Sequence, residues 1–457
     1  MDNEIDGFQW GEKLLKLLEK KEPMIKCSEV YLRIDNILNL EIEENSIKNS
    51  RMKLKKGISA RCIDNRGATG FSFTNRFQEK SLEDIAKNAI KLMKNGTKDP
   101  DFQDLPSHYS GYPKIKGLYD DNIENLQVEQ TSQYASELIK VCEEDELAIS
   151  QSGNFVSQYS HLYILNSNGI SVSEKRAYTS ISSNMIVKDK ATNETSFGYD
   201  RQAVRYLKDL EPKQVALSAL EDGRRNLNRK KIENMTVPLI LTPRGTINLI
   251  LDPLSSAINA ETFQYGRSFL VGQRGKKIAS DLVNIQDNAL IDGGIGSQTF
   301  DDEGVPCKNK DIIKDGIFLA DGLLHNSYTA EKEGVESSGN ASRSSYGSLP
   351  KISPTNFSLS RGNASKQDMI SGVKRGILFD YTGDSPNIST GDFSGLILHG
   401  NLIEDGELSH PLNETMFGIG LIDLFKNISA ISKEYEIRGS YRAPYVKVEG
   451  VNIIGSA

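Results

Sequence analysis

The chain has 457 residues, too many for one ordinary core and enough for two domains. Hydrophobic residues make up 37% and charged residues 26%, and the 14 prolines and 38 glycines are scattered, which excludes a disordered or low-complexity chain. A formal charge of −7, with only short basic runs at residues 53–56 and 229–231, argues against nucleic acid as a partner.

The first residues, Met1-Asp2-Asn3-Glu4-Ile5-Asp6, are acidic where a secretory signal would be basic and then apolar. No apolar run approaches the roughly 20 residues that span a bilayer, so a cytoplasmic protein without a membrane segment is expected. Trp10, Leu14, Leu17 and Leu18 share one face of a helix predicted over residues 8–20. Val30, Leu32 and Ile34 alternate as in a half-buried strand, and Leu38, Leu40 and Ile42 repeat the pattern after a turn expected near Asn36. Residues 58–63 and 70–73 form a predicted hairpin, and Ser81-Leu82-Glu83-Asp84 resembles a capping box that opens the next helix. A helix over residues 128–143 follows. Strands over 161–165 and 170–173 are joined by Asn166 to Gly169, where an Asn-Gly pair accepts positive φ.

Pro212 suits the first turn of a helix running to Leu227, and the polar residues 228–231 mark a domain boundary. The expected organisation is α+β: an N-terminal domain over residues 1–228 with an antiparallel sheet and helices, then a mostly β domain over 232–457. Two helices interrupt the second domain, one capped by Asp252 ahead of Pro253 and one over residues 366–376.

Few residues offer chemistry. The five histidines, His108, His161, His325, His399 and His410, are more than ten residues apart, so no pair of zinc ligands lies on one helix. Cys27, Cys62, Cys142 and Cys307 have no paired spacing, which argues against a zinc ribbon and a disulfide framework alike. No G-x-S-x-G elbow is present, and Cys307 with His325 as base lacks a local signature. The run Gly272-Gln273-Arg274-Gly275-Lys276-Lys277 lacks the leading glycine and the hydroxyl of a phosphate loop. Asp301-Asp302-Glu303-Gly304 gathers three carboxylates and reads as a solvated turn rather than a cation site. Asn340, Arg343, Ser344, Ser345, Tyr346 and Asn356 form a polar stretch that either grips an extended peptide or stitches its own loop together.

The runs from Gly266 through Leu282, from Asp301 through Pro306, from Ile312 through Ile317, and then Ser338-Gly339-Asn340-Ala341, Thr355-Asn356 and Thr390 through Gly395 resemble the TldD/PmbA metallopeptidase family. In the family's catalytic subunits a helix upstream of the matching Gly266 segment carries His-Glu-x-x-x-His, and a cysteine near the C-terminus resembles a further ligand. Counting back from Gly272 places those three positions at Leu251, Asp252 and Ser256, and no cysteine follows Cys307. The resemblance therefore implies the PmbA (TldE) branch: no metal, no cofactor, and a non-catalytic subunit that pairs with a TldD-type subunit around unfolded or modified peptides. Asn340, Arg343, Tyr346 and Asn356 are then the peptide-binding candidates. The rival expectations are a hydrolase active by itself through other ligands and a standalone peptide-binding homodimer.

Overall fold

A computed structural model of the chain describes residues 6–456. The first half folds around six antiparallel strands, β1 (Ile25–Glu43), β2 (Ser46–Asp64), β3 (Thr69–Thr74), β4 (Ala148–Asn166), β5 (Ser171–Lys188) and β6 (Thr195–Val204). Their order is β3-β2-β1-β4-β5-β6. The β1–β2 hairpin turns over Glu44 and Asn45, both at positive φ, and the β4–β5 hairpin over the Asn-Gly pair, where Gly169 has φ 93°. The even positions of β1 point to one face. Val30 and Leu32 meet helices Gly7–Lys21 and Glu79–Asn95, while Leu38, Leu40 and Ile42 meet helices Val128–Glu143 and Pro212–Arg225.

Two expectations are corrected here. The turn near Asn36 does not exist, because Asn36 pairs with Leu54 on one side and Tyr159 on the other, and two flanking ladders hold an asparagine extended. Ser81 is not a cap, since its helix already starts at Glu79 and Gln78 makes no side-chain capping bond. One edge stays open. Among the described residues no strand pairs with the outer side of β2 before Ile58. That stretch carries Lys48, Arg51, Lys53, Lys55 and Lys56 and exposes Met52 and Leu54.

The second half forms one sheet around the strand Tyr441–Ile454, which pairs in turn with Phe357–Leu359, Ile428–Arg438, Met235–Leu241 and Met416–Gly420. A register shift between Val448 and Val451, with Gly450 at φ 69°, lets one strand serve so many neighbours. Met235–Leu241 also runs parallel to Arg375–Tyr381. Most of the short helices pack on this sheet over one large apolar cluster, and Lys366–Ser371 packs over a smaller one with Ile240, Leu378 and Ile403. The fold class is α+β, with the C-terminal part mostly strand, as expected from the sequence.

Candidate functional site

The helix at the sequence-predicted metal position enters from the end of Met235–Leu241. Thr242 caps it, its Oγ1 accepting from the Gly245 N–H at 3.1 Å, and Pro243 fills the first turn. The helix passes through a π turn at Ile247–Leu251 into Asp252–Ala257. Asp252 is thus mid-helix and not a cap, because Leu251 before it already has helical dihedrals of −73° and −45°. Pro253, which has no N–H to donate, is accommodated where the wider π turn has shifted the hydrogen-bond pattern. Leu251 is wholly buried in the core, whereas Asp252 and Ser256 are exposed. The Tyr441 hydroxyl donates to Asp252 Oδ1 at 2.9 Å. A leucine, a tyrosine-bound carboxylate and a lone hydroxyl do not supply the three donors of a catalytic zinc. These residues do not fit the ion.

Asp252 lies in the lining of a 510 Å³ cavity between the two halves, with Tyr178, Tyr199, Arg201, Arg244, Tyr381, Arg438 and Tyr441 around it. Tyr178 and Ile295 are shared with a second cavity of 230 Å³. The two adjoin at these residues and together make a cleft. Its floor is the open face of the first sheet, where Arg33, Gln158, Ser160, Arg176 and Tyr178 stand on β1, β4 and β5. Its far wall is the segment Ile295 to Gln298, together with Ala341, Ser342 and Ser353 to Thr355. Ala341–Ser342 and Lys351–Ile352 make a two-stranded ribbon there. Arg205 staples the cleft. It is 5% exposed, and its Nε donates to Gly294, its Nη1 to Leu118 and Ala177, and its Nη2 to Ile295 and Ser297, all at 2.6–3.4 Å. Burial, and then the neighbouring Arg176, push this guanidinium down to about 10.

Deeper in the seam lies a buried ion network. Glu29 on β1 accepts from Arg61 on β2 at 3.1 Å and from Arg343, whose side chain is fully buried. Burial would raise the Glu29 carboxyl, but Arg343 and Arg61 outweigh it and hold it below the ordinary range. Arg343 also donates to the Asp302 and Ser348 carbonyls and stacks on the Tyr31 ring at 4.7 Å. Asp301, Asp302 and Glu303 belong to the same network at 0%, 6% and 1% exposure, so the expected solvated turn is corrected. They are buried because partners answer each of them. Arg61 and the Ser327 N–H bind Glu303, and the Arg343 N–H binds Asp302.

The sequence-predicted peptide contacts are placed by the same geometry. Asn340 is 1% exposed, donating to Asp287 and the Ser353 carbonyl and accepting from Lys310 and Ser338. Asn356 is equally buried, accepting from the Gly296 N–H and donating to Asn288 and Ser297. Tyr346 lies over Gly57 of β2, where any Cβ would come within 2.4 Å of its ring, and against Phe73. The side chains of Asn340, Arg343 and Asn356 therefore have no surface to offer a peptide, which corrects that expectation. They fix the ribbon and loop whose backbone lines the cleft. Sequence reasoning missed Glu29, Arg61, Arg205 and the cleft tyrosines. The odd positions of β1, Glu29, Tyr31, Arg33 and Asp35, held the available sign: charged pairs opposite an apolar face mark an interface as readily as a solvent face.

Asp301 gives a measurable consequence. Burial, then Glu303, push its carboxyl up to about 8, against three backbone N–H donors from Ala341, Glu303 and Val305. A carboxyl raised on folding binds a proton in the native state, so its contribution is present at low pH and is lost as pH rises through the folded value. Thermal melts of the wild type are expected to fall from pH 6 to pH 9 relative to those of Asp301→Asn. Parallel pH profiles would contradict the assignment.

Other candidates are accounted for by their contacts. The Cys307 thiol is buried, raised by that burial above its usual range, and donates to the Gly339 carbonyl at 3.2 Å. His325 meets Thr329 at 3.3 Å and Glu333 at 4.0 Å. Arg274 of the glycine-flanked loop pairs with Glu333 and covers Phe263. Among the described residues one cluster has the composition of a metal site, Asp222, Asp380 and His399. Arg244 bridges its two carboxylates at 3.1 and 3.3 Å, so a guanidinium already stands between them and offsets one of their two charges.

The sequence that builds this two-sheet fold matches a known metallopeptidase class. The family models for PmbA/TldA metallopeptidase domain 1, central domain and C-terminal domain match residues 28–92, 121–227 and 234–455. The chain belongs to the PmbA/TldD family. It is 26% identical to a metalloprotease PmbA homolog of Buchnera aphidicola over 94% of this chain and 93% of that one. It is 24% identical to a metalloprotease TldD homolog of Haemophilus influenzae over 90% of this chain and 86% of that one. The structure of TldE from Thermococcus kodakarensis superposes with a TM-score of 0.87 over 97% of this chain and 99% of that one, at 22% identity. That likeness shows the shared fold.

Proposed function

We propose that the chain is the non-catalytic partner of a TldD-type zinc peptidase and that its cleft receives an extended peptide. The observation that carries this reading is the motif helix. Leu251 offers no donor atom, and Asp252 is engaged by Tyr441 at the mouth of a cleft otherwise built for binding. The cleft supports the peptide part of the reading. It is lined by tyrosines, by arginines and by residues of a short ribbon, so rings and guanidinium groups are available to the side chains and carbonyl oxygens of an extended peptide. Asn340, Arg343, Tyr346 and Asn356 act in this account by holding that wall in place.

The test is reconstitution. The purified chain alone is expected to leave an unfolded peptide intact, with no zinc retained. Mixed with a TldD-type subunit, it should form a heterodimer whose peptidase activity exceeds that of the subunit alone by about tenfold or more, a difference of about 1.4 kcal/mol in barrier. Chelator-sensitive cleavage by the chain alone would refute the proposal, and so would a chain that neither binds nor stimulates such a subunit.

A further inference from the structure

We infer that the smaller cavity of the cleft is a carboxylate pocket, which takes the terminal or side-chain carboxylate of an extended peptide lying in the cleft. Three guanidinium groups, Arg33, Arg176 and Arg205, line its 230 Å³, and no carboxylate does. Two of the three have an acid behind them: Arg33 pairs with Asp35 and Arg176 with Glu174. Arg205 has no bonded acid, since its five bonds all go to carbonyls, so its positive charge in the wall is met only by dipoles at hydrogen-bond distance.

Arg33 supplies the direct contact. Only its Nε is committed, to Asp35 Oδ1 at 2.7 Å, and among the described residues neither Nη makes a hydrogen bond. A planar pair of N–H donors at the edge of an open cavity matches the two oxygens of a carboxylate. The Ser342 hydroxyl, also in the lining, makes no side-chain hydrogen bond among the described residues and can complete the contact. The cavity admits one side chain or chain end and shares Tyr178 and Ile295 with the larger cavity beside Asp252, which leaves room for the rest of a peptide.

The inference rests on the reading of the cleft as a peptide site, and its test needs this chain alone. The probes are an unstructured pentapeptide with neutral side chains and a free C-terminus, the same peptide amidated, the amidated peptide with one glutamate, and inorganic phosphate, each titrated by calorimetry. At least one carboxylate-bearing peptide is expected to bind about tenfold or more tightly than the neutral amide, because an unfilled polar site rejects a ligand that lacks the group. Phosphate should compete with it. Arg33→Gln should abolish most of that preference, and Ser342→Asp should do the same while leaving every arginine contact intact; melting temperatures report whether either variant folds. Equal binding of acid and amide peptides would overturn the inference. Binding of phosphate without any carboxylate peptide, or an unchanged preference in the folded Ser342→Asp variant, would do so too. Failure to pair with a TldD-type subunit does not touch this measurement, so the two readings fail separately.

Discussion

Glu29→Ala is expected to lower the unfolding free energy by about 3–5 kcal/mol, the range for removing one partner of a buried ion pair. Glu29 is the single carboxylate that Arg61 and Arg343 share, and all three side chains are at least nine-tenths buried. Without it Arg61 keeps Glu303, but Arg343 keeps only carbonyl partners and an uncancelled charge in the seam. Glu29→Gln, which preserves the shape and an acceptor oxygen, should cost less. Urea unfolding at constant slope measures both. A loss below about 1 kcal/mol for the alanine variant would place this pair with exposed salt bridges and discredit the account of the seam.

Arg205→Ala should be comparably severe, at about 3 kcal/mol or more, by a different route. Its guanidinium joins Leu118 and Ala177 of the first half to Gly294, Ile295 and Ser297 of the second. Truncation removes this donor from five carbonyls, of which Leu118 and Gly294 keep the Ala177 and Ser297 N–H, and each buried acceptor left wholly unpaired costs about 1–3 kcal/mol before water reaches it. Because the cleft is open, water will satisfy some of them, which keeps the total below the simple sum. Arg205→Lys cannot rescue it, since an ammonium has three donors and no planar fork. Limited proteolysis near Ser297 should accelerate in the alanine variant; unchanged cutting together with an unchanged melting temperature would refute the staple.

Local features were legible from the sequence where local chemistry decides them. The Asn-Gly turn, the proline at the start of Pro212–Arg225 and the apolar stripe of Gly7–Lys21 all stand where periodicity and turn residues place them. Strand lengths were not, because β1 continues through Asn36 only by virtue of β2 and β4 on either side. Asp252 misled for a related reason. An Asp-Pro pair is a strong opening motif by itself, yet the chain arrives there already helical from Thr242. The acidic run at Asp301 looked solvated because its counter-charges lie elsewhere in the chain: Arg61 is far upstream and Arg343 is downstream. For the same reason Arg343 resembled a peptide clamp. No window of sequence shows that Glu29 is waiting for it.

The open side of β2 bears on how copies of this chain treat one another. Two such margins brought side by side would bring Arg51, Lys53, Lys55 and Lys56 of one copy near those of the other, a repulsion that ordinary cellular salt damps only beyond a Debye length of about 8 Å. An unguarded ladder of amide groups invites fibrous growth, and here the cations stand sentry over it. That row of cations therefore works against edge-to-edge pairing of two copies through this strand.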